Sequence, residues 1–190
     1  MRNFDETQFN EDWKFFVENI KKIGLAEKFN LEKLEESFKS APGALTEDTG
    51  IAYPGALLRH IVLSTSIAIR LSKMVSNTFS ISEESLLKVC LLMHLSKIEM
   101  YVKNDNDWEI KNRGMNFRFA QLDGRLKFGE RSILLLMKKG ISLTPFEFEA
   151  IRCIDKKGEN ENKMAEYFDN ILTIIVRQAN ELAYAIESKR

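Results

Sequence analysis

Apolar positions recur at spacings of three and four along most of the chain. Over 6–23 the stripe is Phe9, Trp13, Phe16, Ile20 and Ile23, the mark of an amphipathic helix, and Gly24 ends it. Asn30 opens a second predicted helix through Leu31, Leu34 and Phe38, which stops near Pro42-Gly43. A connector over 44–54, rich in Thr, Gly and Asp, leads through Pro54-Gly55 into a third predicted helix at about 56–77. There Leu57, Leu58, Ile61, Val62, Ile69 and Leu71 cover more than one face, which marks a central helix. Ser80-Ile81-Ser82-Glu83 reads as a capping box that opens a fourth helix over about 81–99, with a nearly unbroken apolar run from Leu86 to Met93.

The helical period fails over 101–125. Tyr101-Val102-Lys103 and Trp108-Glu109-Ile110-Lys111 are two short extended runs around an Asn/Asp turn, and they predict a small hairpin-like insertion near 101–120. Helix resumes at about 129–139. Thr144-Pro145-Phe146-Glu147 is a second capping box, with Pro at the first helical position, and its helix runs to about Ile154. A charged loop at 155–163 precedes a last helix striped with Ile171, Ile174, Ile175, Ala179, Leu182, Ala183 and Ile186. The expected fold class is therefore all-α: a bundle of about seven helices with one small β-hairpin-like insertion. Residues 1–43 read as an N-terminal helical extension packing on the bundle, and 44–190 as the main domain.

Composition narrows the function. The 190 residues carry 28 Lys+Arg against 28 Asp+Glu, so a general polyanion-binding surface is not expected. Nine glycines and three prolines are few for this length and suit long helices. Cys90 and Cys153 sit in apolar surroundings and read as core thiols of a reducing compartment. No basic apolar leader and no membrane-length apolar run is apparent, so the expected location is cytoplasmic, with no membrane partner. Glycine-rich phosphate loops and Gly-x-Ser-x-Gly elbows are missing. The chain has only two histidines, His60 and His94.

Over about residues 53–186 the helix order and several strings resemble the HD-domain superfamily of metal-dependent phosphohydrolases, closest to small bacterial and phage-type members. Tyr53-Pro-Gly-Ala-Leu-Leu-Arg-His60-Ile resembles the family's first ligand helix. The family's His-Asp dyad is followed by two residues and a lysine, and Lys97-Ile98 places that dyad on Met93-His94. Lys127-Phe128-Gly129-Glu130-Arg131-Ser132 aligns with a Gly-His-Gly-Glu-Lys-Ser string. Ile151-Arg152-Cys153-Ile154 aligns with Ile-Arg-Trp-His, and Ala179-Asn180 with the closing Ala-Asp. The resemblance thus implies an HD-like bundle with six site positions: His60, Met93, His94, Phe128, Ile154 and Asn180. Of these only His60 keeps the family's residue. A second register puts His94 on the dyad histidine and Leu95 on the aspartate, and Lys97 and Ile98 argue against it.

HD chemistry needs a divalent cation to acidify water and neutralise phosphate oxygens, and such cations want imidazole and carboxylate ligands. Met offers a soft thioether, Phe and Ile offer nothing, and Asn offers an uncharged oxygen. The preferred expectation is a non-catalytic, pseudoenzyme-like HD protein with no catalytic residues, no cofactor and no bound metal. It would act in binding, on an unknown protein or a small phosphate-bearing ligand, with a homodimer as one arrangement. Asn180 is expected to hydrogen-bond His60. One alternative is a divergent phosphohydrolase whose weakly bound divalent metal sits on His60, His94 and Glu130 or Asn180. Another is a nucleotide or nucleic-acid binding module built on segment 111–131, where Lys111, Arg113, Arg118, Arg125, Lys127 and Arg131 interleave with Phe117, Phe119 and Phe128. Arg59, Lys97, Lys127 and Arg131 are the candidate anion-binding residues at the mouth of the former site.

Overall fold

The computed structural model describes residues 4–154 and 170–188. In chain order these form α1 (Glu6–Lys22), α2 (Leu31–Ser40), α3 (Ala56–Met74), α4 (Glu83–Leu92), α5 (Lys97–Met100), β1 (Tyr101–Lys103), α6 (Asp107–Arg113), β2 (Phe117–Phe119), α7 (Phe128–Lys138), α8 (Pro145–Cys153) and α9 (Ile171–Ser188). The result is an all-α bundle with a small two-stranded antiparallel insertion. The charged loop expected at 155–163 lies outside the described residues. Among the described residues no helix is long and apolar enough to cross a membrane.

The centre of the bundle is the α3–α9 pair. α4 packs on α3, α8 on α9, α7 on α8, and α1 lies across α3 and α4. Ala56, Leu57, Leu58, Ile61 and Ala68 of α3 are completely buried, as its all-round apolar pattern predicts. Phe16, Ile20 and Phe38 from α1 and α2 are equally buried and join the same apolar cluster as α3, α4, α8 and α9. Close approach of α7 and α8 depends on Gly129. A Cβ there would lie 2.3 Å from the Ile151 carbonyl oxygen.

Several helix starts follow the sequence signals. Asn30 caps α2 by accepting from the Lys33 amide. Thr144 and Glu147 exchange bonds in a true capping box, with Pro145 at the first position of α8. The fourth helix differs from its expected span. Its cap is Ser82, accepting from the Ser85 amide, and not Ser80. It also stops at Leu92 instead of running to about residue 99.

The insertion differs in its connection. Tyr101 pairs with Phe119, Val102 with Arg118 and Lys103 with Phe117. The run Trp108–Lys111, expected to be extended, lies inside α6, because Asn106 accepts from both the Trp108 and Glu109 amides and so caps a helix. The last helix is rotated relative to its expected apolar stripe. Ile174, Leu182 and Ile186 are exposed, while Asn180 and Glu187 are buried against the bundle.

Candidate functional site

The most polar feature of the core is a chain of side chains from α3, α9 and the α4–α5 junction. His60 projects from α3 and is fully buried. Asn180, Tyr184 and Glu187 occupy α9 at i, i+4 and i+7, so one face of that helix presents all three. His94 comes from the junction. An uninterrupted helix through 93–96 would bond each amide to the carbonyl four residues back. Instead Leu95 bonds back to Leu92, and Lys97 to His94, at three-residue spacing. Ser132 of α7 fills the gap: its hydroxyl donates to the Met93 carbonyl at 2.8 Å and accepts from the Ser96 amide at 3.2 Å. The junction is therefore held by a side chain from another helix, and His94 is fully buried there.

Nε2 of His60 lies 2.9 Å from Asn180 Oδ1, and Nε2 of His94 lies 2.8 Å from the same oxygen. An amide oxygen only accepts, so both Nε2 atoms carry hydrogens. On its other side His60 Nδ1 is 2.7 Å from Glu187 Oε2, and a further proton lies between them. The Tyr184 ring lies tilted by 41° against the His60 ring with centroids 4.2 Å apart, and the two imidazoles are 5.3 Å apart. Lys97, also buried, donates to the Tyr184 hydroxyl at 2.8 Å and lies 5.5 Å from the Phe128 ring centroid.

Burial lowers the His94 pKa well below the usual histidine range; the nearby positive charges of Lys97 and His60 add to this. His94 is thus neutral with its hydrogen on Nε2. Among the described residues its Nδ1 has no hydrogen-bond partner. Chemically the arrangement is a closed relay, Glu187–His60–Asn180–His94. It can hold and order protons and it rigidifies the helix contacts around it.

The remaining site positions are dispersed. Met93 is fully buried and Ile154 nearly so, both in the apolar cluster. Phe128 opens α7 and packs its ring near Tyr101 and Phe119, at 6.0 and 6.1 Å. Glu130 is used locally: its carboxylate accepts from the Lys127 amide and caps α7. Arg59 donates to Asp12. Arg131 donates to the Asp123 and Gly124 carbonyls. The four candidate anion-binding residues therefore have separate roles: Lys97 is interior, Lys127 is the α7 cap, Arg59 faces α1, and Arg131 holds the backbone at Asp123 and Gly124. Cys90 and Cys153 are both buried, and burial pushes the Cys90 thiol up to about 12, so it is inert as a nucleophile.

The fit of a metal at this centre is poor. A cation would need lone pairs from His60 Nε2, His94 Nε2 and Asn180 Oδ1, but those atoms are already bonded to one another. Both nitrogens would first have to lose a proton, and Asn brings no charge. Among the described residues, no group of three or more His, Cys, Asp or Glu side chains is placed to hold a metal ion.

Sequence patterns alone did not single out Glu187, Tyr184 or Ser132. The i, i+4, i+7 spacing of Asn180, Tyr184 and Glu187 was the available signal, hidden beneath a more conspicuous apolar pattern. No family model matches the chain, and no curated protein or solved structure matches it.

Proposed function

We propose that the chain is a non-catalytic protein with an HD-like helical core that acts through binding or protein interaction. The supporting observation is the sharing of one oxygen, Asn180 Oδ1, by both imidazoles of the chain. In the family register His60 and Asn180 correspond to the first and last metal-site positions, and His94 lies in the dyad. In this chain those side chains meet, and Asn180 Oδ1 accepts from the Nε2 of both imidazoles. Of the other three positions, Met93 and Ile154 hold apolar side chains inside the core cluster, and Phe128 packs half-buried beside Tyr101 and Phe119. Apolar side chains at such positions avoid leaving unpaired polar groups inside, which would cost roughly 1–3 kcal/mol each.

Elemental analysis of the freshly purified protein, paired with hydrolysis assays on nucleotides and aryl phosphates with added Mn²⁺, tests this reading. The expected result is substoichiometric metal and no turnover that depends on His60. One equivalent of metal per chain, with hydrolysis lost in His60→Ala, would overturn it. The nucleic-acid reading of 111–131 gains no support from the geometry. Arg118 is paired with Asp105, and Arg131 is bound to backbone carbonyls.

A further inference from the structure

A cleft of about 500 Å³ opens between α1 and the start of α3, on the Glu187 side of His60. Its wall includes Phe4, Phe9 and Tyr53, with Asp5, Asp12 and Glu187 as acids and Arg59 as the cation. The volume is in the range of small-molecule sites, roughly 300–1,000 Å³. Phe4 and Phe9 form a tilted aromatic pair with centroids 5.4 Å apart. Phe4 lies directly over Gly55, where a Cβ would come within 3.0 Å of its ring. Gly55 also has φ +83°, a left-handed conformation in which a side chain is strained.

Asp12 is the informative group. Its side chain is only 4% exposed. Both hydrogen bonds that reach it end on Oδ1, from Arg59 Nη1 at 2.9 Å and Gln8 Nε2 at 3.3 Å. Among the described residues nothing donates to Oδ2. That oxygen is not among the side-chain atoms sealed inside the protein without a partner, and Asp12 lines the cleft. A nearly buried carboxylate thus turns one unpartnered oxygen toward a cavity with aromatic walls. Burial also holds the Asp12 carboxyl above its usual range, although Arg59 opposes the shift. The carboxylate is under-compensated even with its arginine in place.

We infer that this cleft binds a small organic cation, an ammonium or amidinium on an aryl or alkyl body, with Asp12 Oδ2 as its charge partner. Phe4, Phe9 and Tyr53 supply apolar contact and ring faces for the cation. An anion is disfavoured, since Asp12 Oδ2 and Asp5 both bring negative charge to the cleft against one arginine, while Glu187 is held by His60. The inference stands apart from the pseudoenzyme reading, because it uses α1 and the outer side of His60 rather than the residues between the two imidazoles. Glu187 belongs to both the cleft wall and the relay, so occupancy is felt at His60.

Calorimetric titration with benzylamine, benzyl alcohol and benzoate tests the inference, with the imidazole ¹⁵N signals of the two histidines as a second readout. The expected result is saturable benzylamine binding, at least about tenfold tighter than either isostere, with a shift at His60. Asp12→Asn should weaken benzylamine about tenfold or more. Phe4→Ala, at a partly exposed position, should weaken it several-fold, and it decides the matter if Asp12→Asn does not fold. The inference is overturned by any of three results: no saturation by benzylamine below about 10 mM, equal binding of benzyl alcohol or benzoate, or unchanged affinity in a folded Asp12→Asn or in Phe4→Ala.

Discussion

His60 and His94 face each other with ring centroids 5.3 Å apart, and the amide oxygen of Asn180 accepts a hydrogen bond from each. This makes Asn180 the common acceptor of the core relay. Asn180→Leu removes that acceptor while keeping the branched shape, and strands two imidazole N–H groups in the interior. Stability should fall by about 2–6 kcal/mol, from roughly 1–3 kcal/mol for each of the two buried donors left unsatisfied. Urea denaturation checks it. A loss under about 1 kcal/mol would mean that the two bonds contribute little.

Glu187 is 127 positions from His60 in sequence and joins it through a 2.7 Å contact with both side chains almost wholly buried. Glu187→Gln keeps the shape and removes the carboxylate. Breaking one partner of a buried charged pair costs on the order of 3–5 kcal/mol, and the amide recovers part of that as a neutral hydrogen bond. The expected loss is about 2–3 kcal/mol, read as a lower urea midpoint at unchanged m-value. An unchanged midpoint would contradict the pairing.

Ser132 supplies both partners that the α4–α5 junction lacks. Ser132→Ala leaves a buried carbonyl at Met93 and a buried amide at Ser96 unsatisfied, at about 1–3 kcal/mol each. Besides lowering stability, the change should increase hydrogen exchange at the Ser96 amide relative to the α3 amides. Exchange at Ser96 that stays as slow as in the parent protein would show that Ser132 does not hold the junction.

His94 gives the fold a pH dependence of defined sign. In an unfolded chain a histidine takes up its proton near pH 6.5, whereas in the fold His94 does so only well below that. Between those two values the unfolded chain binds more protons, so stability falls as pH falls below about 6.5. Asp12 acts oppositely and lower. Its folded pKa lies above 3.8, so folding is relatively favoured as pH drops through that raised value. Comparing His94→Gln with the parent protein isolates the first effect, because Asp12 is common to both. From about pH 7.5 to 5.5 the parent should lose more stability than the variant, by up to about 1.4 kcal/mol per pH unit. Identical slopes would contradict a neutral buried His94.

Much of the helical layout was legible because periodicity reports burial on one face. The two N-terminal helices, the all-round apolar α3 and the Thr144–Glu147 box each carried a local signal. The break after Leu92 did not, because its cause, Ser132, is distant in sequence and acts through one hydroxyl. The rotation of α9 was also hidden. Ile174, Leu182 and Ile186 look like core by composition, but the bundle takes the Asn180 and Glu187 face in order to complete a polar network with His60. The bond from Asn180 to His60 was anticipated; the carboxylate behind His60 was not. A lone Glu near the end of a helix is usually a solvated residue, and only the fold brings this one inside.

The proton positions in the relay are directly observable through the two histidines. A long-range ¹H–¹⁵N spectrum of the imidazoles at neutral pH contains one spin system for each. The account predicts a hydrogen on Nε2 of both His60 and His94, with His94 neutral and its Nδ1 bare, and no change on adding Zn²⁺ or Mn²⁺. A cationic His94, a bare Nε2 on either ring, or stoichiometric shifts of both imidazoles with added metal would contradict it.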